Sequence, residues 1–266
     1  MRTLLLLSTA AAAVGSALLV QPARAEAPAA AAAPAVATDV DPVVVIGTRS
    51  KRLASNIPGT VSVIDADQIE TMLATDIKDL IRFEPGVSVP TSPSRFSLAL
   101  SGAGRDGDSG FTIRGMGGDR VLIVNDGVRL PAGFSFGAQA VGRGGYNDLD
   151  LIKSVEILRG PASALYGSDG VAGAVAFTTK DPSDFLIGDQ TFGARGRVAY
   201  NSADEGWTEG VAFAGRSGAL SGLLAYTRRD YQETENKGSV GGVGATRTQP
   251  NPQDFASNAY LGKLVW

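Results

Sequence analysis

The sequence predicts an α+β domain followed by the first antiparallel strands of a transmembrane β-barrel. Three observations predict it. Residues 57–180 mix short helical and strand patterns separated by glycine-rich turns. Beyond Pro182 the pattern changes to period-two alternation with no helical period. The chain also opens on an export signal, and nothing after it approaches the ~20 consecutive apolar residues of a spanning helix. A mature chain that enters a membrane therefore enters it as strands.

Met1-Arg2 and the apolar run Leu4 to Val20 form a basic start and a hydrophobic core that end in Ala23-Arg24-Ala25, an A-x-A cleavage pattern. Residues 1–25 read as a signal peptide removed before Glu26, and the cleavage pattern argues against a membrane anchor. Residues 26–40, rich in alanine and broken by Pro28 and Pro34, have almost no bulky apolar side chain to bury and read as a tether. Next comes Asp41-Pro42-Val43-Val44-Val45-Ile46-Gly47-Thr48-Arg49, a β-branched run opened by proline and closed by glycine. It reads either as an ordinary core strand or as a strand held at the end of a tether for another protein's sheet edge. Its position behind the tether favours the second.

Residues 50–182 form the α+β domain. Val61 to Ile64 is a strand, and Asp65 with Gln68 three residues later is a capping box for a short helix ending near Leu73. A second helix is capped by Thr75, puts Ile77, Leu80 and Ile81 on one face, and stops at Pro85-Gly86. Further strands are expected at 110–114, 121–125, 154–158 and 173–179.

Residues 183–266 supply about four alternating strands. Phe192, Ala194, Gly196, Val198 and Tyr200 make one apolar face, opposite Thr191, Arg195 and Arg197. Leu220, Leu224 and Tyr226 stand against Ser221, Thr227 and Arg229, and Tyr260, Leu264 and Trp266 against Ser257 and Lys263. The stretch 207–216 alternates less cleanly, because Glu209 shares a face with Val211 and Phe213. Tyr200, Trp207, Tyr226 and Tyr231 near strand ends suit an aromatic girdle. A tight turn at Ser217-Gly218-Ala219 and a long polar loop from Gln232 to Ala256 match the short periplasmic and long outer connections of such barrels. A soluble sandwich with one wet face shares the alternation, so a secreted binding module or adhesin stands as the alternative.

The composition narrows the function. With 24 basic and 27 acidic residues the net charge is -3, which points to no nucleic-acid partner. The chain has neither cysteine nor histidine, so thiol nucleophiles, Ser-His-Asp chemistry and the usual metal ligands are missing. An enzyme is not expected. Gly102-Ala103-Gly104-Arg105-Asp106-Gly107 fits G-x-G-x-x-G, but a turn and a strand follow it instead of the helix that fingerprint requires.

Specific segments carry a family resemblance. Residues 111–129, Phe-Thr-Ile-Arg-Gly through Asn-Asp-Gly-Val-Arg, resemble the plug hairpin of TonB-dependent outer-membrane receptors. Val155 to Pro161 with Ala164 to Ser168, and Asp79 to Val87, resemble that family's later and earlier plug motifs. The resemblance implies a plug domain inside a barrel of 22 strands. It makes Asp41, Pro42, Val43, Val44, Val45 and Ile46 the segment that adds a strand to TonB. It gives structural plug roles to Arg114, Gly115, Asp126, Gly127, Arg159, Gly160, Pro161, Tyr166 and Gly167. It further implies an outer-membrane location, lipid around the strands, no permanently bound cofactor, and transport of an iron-bearing ligand, haem or a ferric siderophore. That ligand is carried in some members by a haem-bearing protein. The run from Gly160 to Pro182 is most similar to the haem-receptor branch. Phe134, Phe136, Arg143 and Tyr146 are the candidate ligand contacts. A barrel of that size needs well over ~300 residues after the plug, so the sequence reads as a fragment.

Overall fold

A computed structural model describes residues 43–44, 46, 52–57, 59–90, 110–133, 135–136, 139–140, 143–163 and 168–266. The expected signal peptide (1–25), the tether (26–40), Asp41, Pro42, Val45, residues 47–49, the glycine-rich run 102–107, Phe134, Tyr166 and Gly167 lie outside the described residues.

Strand β1 (Val43–Val44) pairs antiparallel with β2 (Arg52–Leu53), Val43 opposite Leu53 and Val44 opposite Arg52. Strand β3 (Thr60–Asp65) leads into α1 (Ala66–Thr71) through the expected capping box. The Gln68 amide donates to Asp65 Oδ1 at 2.8 Å, and the Asp65 amide donates to Gln68 Oε1 at 3.1 Å. Helix α2 (Ile77–Leu80) starts one residue later than its sequence cue. Its cap is Asp76, whose carboxylate accepts from the Lys78 and Asp79 amides at 2.9 and 3.1 Å, while the Thr75 hydroxyl donates to Asp79. A carboxylate outcompetes a hydroxyl for the exposed amides at a helix start.

Strands β4 (Val87–Ser88) and β5 (Thr112–Ile113) form a small pair. The expected strand at 110–114 shrinks because the chain reverses at Arg114-Gly115, where φ is 51° and 80°. Strands β6 (Val121–Asn125) and β7 (Val128–Arg129) are joined by Asp126-Gly127 with φ of 47° and 81°. Both are two-residue turns that require left-handed backbone at each central position, which is why Gly occupies the second. Strands β8 (Ser135–Phe136) and β9 (Gln139–Ala140) form another small pair.

Strands β10 (Ile152–Arg159) and β11 (Gly173–Thr179) complete a five-stranded sheet ordered β3-β10-β11-β6-β7, antiparallel except for β11 beside β6. One face carries Ile64, Val155, Ile157, Val175 and Phe177, which pack with Ile69, Ile77 and Leu80 from the helical segments. The other face carries Leu122, Val124, Leu158 and Ala174. A sheet covered on both faces reads as near-continuous apolar runs, as Val121 to Val124 does.

The second sheet runs in sequence order through β12 (Phe192–Asn201), β13 (Gly206–Ser217), β14 (Leu220–Gln232) and β15 (Asp254–Val265), all antiparallel. Register sets its outer face in rows. Gly196, Val211, Tyr226 and Tyr260 form one, Ala194, Phe213, Leu224 and Gly262 the next, and Phe192, Gly215, Gly222 and Leu264 the third. Val198 at 69%, Leu224 at 69% and Leu264 at 80% exposure show that this apolar face is uncovered. The uneven stretch 207–216 is a full strand. Its Glu209 sits on the outer face in a row with Val198, Arg228 and Asn258, above the tyrosines. Tyr200 and Trp207 also face outward and touch at 5.0 Å. Tyr231 does not join that girdle. It falls on the inward parity of β14, buried and stacked on Phe255. Among the described residues no helix is long and apolar enough to cross a membrane, a statement that leaves strands untouched.

Candidate functional site: the docked front strand and the plug-to-strand interface

The front strand is buried in the α+β domain. Val44 and Ile46 are 0% and 1% exposed. Ile46 packs on the second face of the five-stranded sheet, with Leu122, Val124, Leu158, Ala162 and Ala174. Its amide donates to Glu156 Oε2 at 2.8 Å. Glu156 lies in the middle of β10 and is itself buried, a charged residue opposite Val63 and Ala176 and two residues from Leu158 on the same face. The described part of the front segment is thus a strand packed on its own domain, the first of the two readings the sequence allowed. It has strand-forming residues, but it is stowed against its own domain, so any pairing with another sheet edge requires it to leave first.

The second feature is a set of ion pairs across the two sheets. Arg229 on β14 reaches Asp148 with Nε at 2.8 Å and Nη2 at 2.9 Å, and reaches Asp150 at 2.6 Å. Its Nη1 donates to the Thr75 carbonyl at 3.4 Å. The guanidinium fork matches the carboxylate geometry, and all three side chains are largely out of water, Arg229 and Asp148 at 5% and 6% exposure. Arg197 on β12 pairs with Asp150, and Arg195 pairs with Glu70 at 2.5 Å. Lys263 on β15 bonds Asp181 at 3.0 Å and the Thr179 carbonyl at 3.1 Å. Among the described pairs that cross between the sheets, the strands supply the cations and the α+β domain supplies the anions.

These contacts move the titrations of the α+β partners. The hydrogen bond from Arg195 holds the Glu70 carboxyl below its ordinary value. Burial pushes Lys180 down, aided by the charge of Arg195. Burial would raise Asp181, but Lys263 and Lys153 outweigh it and hold the carboxyl low.

The residues singled out from sequence fall in distinct places. Arg159 is buried and pairs with Glu84 and, at 2.8 Å, with Ser62, partners inside its own domain. Gly160 donates to the Ala172 carbonyl just past β10, and Pro161 is exposed beside it. Arg114 is exposed at its turn, and Arg129 pairs with Asp169. Asp126 accepts from the Thr179 amide at 2.9 Å and hydroxyl at 2.6 Å, tying its turn to the end of β11. Arg143 is buried and donates to the Gly118 and Val121 carbonyls at 3.0 and 2.6 Å, whereas Tyr146 is 57% exposed. Phe136 belongs to β8. Tyr146, Asn125, Asp148, Arg229 and Ser257 line a cavity of about 540 Å³ between the two sheets. Sequence reasoning passed over Glu156, Asp148, Asp150, Glu70 and Asp181. The usable signals were an acid inside an apolar strand, and the Asp148-x-Asp150 pair just before it.

A small α+β domain seated by ion pairs against the inward face of an antiparallel sheet, whose outward face is apolar, is the arrangement of a plugged membrane barrel. Residues 54–174 match the family model of the TonB-dependent receptor plug domain. The chain is 33% identical over 187 residues to transferrin-binding protein A of Haemophilus influenzae, a match covering 67% of this chain and 19% of that protein. It is 30% identical over 230 residues to the hemin receptor of Yersinia enterocolitica, covering 85% and 29%. Its fold matches the FrpB iron transporter of Neisseria meningitidis, apoprotein form, with a TM-score of 0.58 and 27% identity, over 77% of this chain and 29% of that one. The chain belongs to the TonB-dependent receptors. It carries their plug domain and strands resembling the start of their barrel, and it spans less than a third of the length of these relatives.

Proposed function

We propose that the chain is the front part of an outer-membrane receptor that takes up an iron-bearing ligand into the periplasm, powered through TonB. In this reading residues 1–25 are the export signal, 26–40 the tether, 41–49 the TonB-binding segment, 50–182 the plug and 183–266 the start of the barrel wall. The names of its relatives, transferrin-binding protein, hemin receptor and iron transporter, support an iron-bearing cargo. They favour haem or protein-carried iron ahead of a ferric siderophore. Phe134, Phe136, Arg143 and Tyr146 are proposed for ligand contact, and the ring of Tyr146 is exposed.

The observation that carries the reading is the front strand. Val44 and Ile46 are buried, β1 pairs with β2 through Val43 and Val44, and the Ile46 amide is held by the Glu156 carboxylate, an arrangement suited to storage and release. Once free, residues 43–46 can add to another protein's sheet edge, with backbone hydrogen bonds giving the grip. The uncovered apolar outer face speaks against the alternative of a secreted soluble module, because a soluble sandwich needs that face wet.

The test is growth of an iron-starved Gram-negative host that lacks its own receptors and produces the full-length receptor, with haem or a ferric siderophore as sole iron source. Deleting residues 41–46 is expected to abolish growth while leaving surface binding of the ligand intact. Growth indifferent to the deletion would refute TonB-driven uptake.

A further inference from the structure

We propose that Glu156 is the latch of the front strand, and that its release uncovers a preformed apolar face of the plug sheet. The inference rests on the reading of residues 41–46 as the TonB-binding segment and adds the residue that governs their release. Three observations carry it. The Ile46 amide donates to Glu156 Oε2 over a sequence separation of 110 residues, so this bond ties the front of the chain to the central strands of the sheet. Glu156 sits on β10 opposite Val63 of β3 and Ala176 of β11, and is therefore flanked by paired backbone on both sides. The Ile46 side chain lies beside that bond, against Leu122, Val124, Leu158 and Ala174.

A bond from a backbone amide to a carboxylate is about twice as strong as one between neutral groups. It is also directional and short-ranged, so a displacement of a few ångströms ends it. Apolar burial of Ile46 falls away more gradually as the segment slides. Together they make a two-position device: docked with the bond made, or free with the bond lost and the apolar face open. Loss of the contact returns a carboxylate toward water, which favours the free position once it is reached. Glu156 is thus a positioning residue that acts on the coupling strand and touches no cargo.

The experiment uses the full-length receptor with Val44, 0% exposed, replaced by cysteine and any thiol outside these 266 residues, which hold none, replaced by serine. The rate of maleimide labelling at that cysteine reads the fraction of time the strand is undocked. Glu156→Ala is expected to raise the rate at least about tenfold. Glu156→Gln keeps an acceptor oxygen in place and is expected to fall between the parent and the alanine variant. Asp169→Ala, which removes the described partner of Arg129 away from the front strand, is expected to leave the rate unchanged. Equal rates in the parent and Glu156→Ala, with the plug folded by circular dichroism, would overturn the latch.

Binding of the purified periplasmic domain of TonB to the same variants separates the two layers. Binding with no Glu156 effect on labelling sinks the latch and leaves the receptor reading standing. A Glu156 effect on labelling without any TonB binding sinks the receptor reading and leaves the latch.

Discussion

Replacing Arg229 by alanine removes the most completely buried of the described ion pairs between the plug and the strands beside it. The side chains of Arg229, Asp148 and Asp150 are 5%, 6% and 12% exposed, and the guanidinium makes three carboxylate contacts between 2.6 and 2.9 Å. Breaking a buried pair by deleting one partner costs about 3–5 kcal/mol, because the other charge stays desolvated. Here Asp150 keeps Arg197, and Asp148 keeps the Asp150 amide at 2.9 Å, so the low end, about 3 kcal/mol, is expected. At a urea dependence of about 1.5 kcal/mol per molar, the unfolding midpoint of the plug falls by about 2 M. The assay is urea titration of the full-length receptor in detergent, with a fluorophore on a cysteine replacing the exposed Met116. A second arm decides the cause. Arg229→Met with Asp148→Asn removes the stranded charge and is expected to recover at least half of the loss. A midpoint shift below about 0.5 M in Arg229→Ala, with strand content unchanged, would refute the claim that this cluster seats the plug.

Two further outcomes are expected. The Glu70 carboxyl is held below its ordinary value in the fold, so its pair with Arg195 stabilises above that ordinary value, and the gain is lost as pH falls through the lowered folded one. Glu70→Gln is therefore expected to lower the plug's stability slightly at pH 7, by less than about 1 kcal/mol because the pair is part-exposed, with the difference from the parent shrinking as pH falls through the lowered folded value; an undiminished difference in acid would count against the pair. Leu224→Arg, in the middle of the apolar rows, is expected to cost about 2–4 kcal/mol of folding in lipid vesicles, while Val198→Arg, in the row of Glu209 and Arg228, costs about 0–1 kcal/mol. Equal costs in a refolding assay would place the lipid boundary elsewhere.

Much of the fold could be read before the structure because local rules and global packing agree. The capping box at Asp65 and Gln68, the Asp126-Gly127 turn and the parity of β12, β14 and β15 each need only neighbours in sequence, and each stands where its residues put it. What went unread depends on distant partners. Thr75 looked like a cap until Asp76 beside it took the helix amides and left the hydroxyl to Asp79. Tyr231 looked like a girdle residue because it ends a strand, yet its odd position turns it inward onto Phe255. Alternation shows that Arg197 and Arg229 face away from the apolar side, but not that Asp148 and Asp150, which precede β10, would meet them across 47 to 81 residues of chain. Glu156 was the clearest lost signal, since a lone acid between Val155 and Ile157 demands a donor that the strand cannot provide.

The two polar devices divide the plug's work. The ion pairs that seat it use Glu70 on α1, Asp148 and Asp150 before β10, and Asp181 after β11, all facing Arg195, Arg197, Arg229 and Lys263. Among the described residues of the front strand, Val44 and Ile46 pack elsewhere. Ile46 rests on the second face of the plug sheet and is held there by Glu156 on the same strand that Asp148 and Asp150 precede. A pull applied through residues 43–46 therefore loads the Ile46 to Glu156 bond and the two-residue pairing with β2 before it reaches any ion pair. The seating cluster around Arg229 is dense and buried, with three carboxylate contacts. Undocking of the strand and loosening of the plug should thus be separable steps, the first set by Glu156 and the second by Arg229. Variants of one are expected to leave the other's readout unmoved: Glu156→Ala should accelerate labelling at position 44 without shifting the urea midpoint reported from position 116, and Arg229→Ala should do the reverse. If each variant moved both readouts together, the strand and the seat would be one cooperative unit, and a pull at the front would have to unfold the plug to free anything at all.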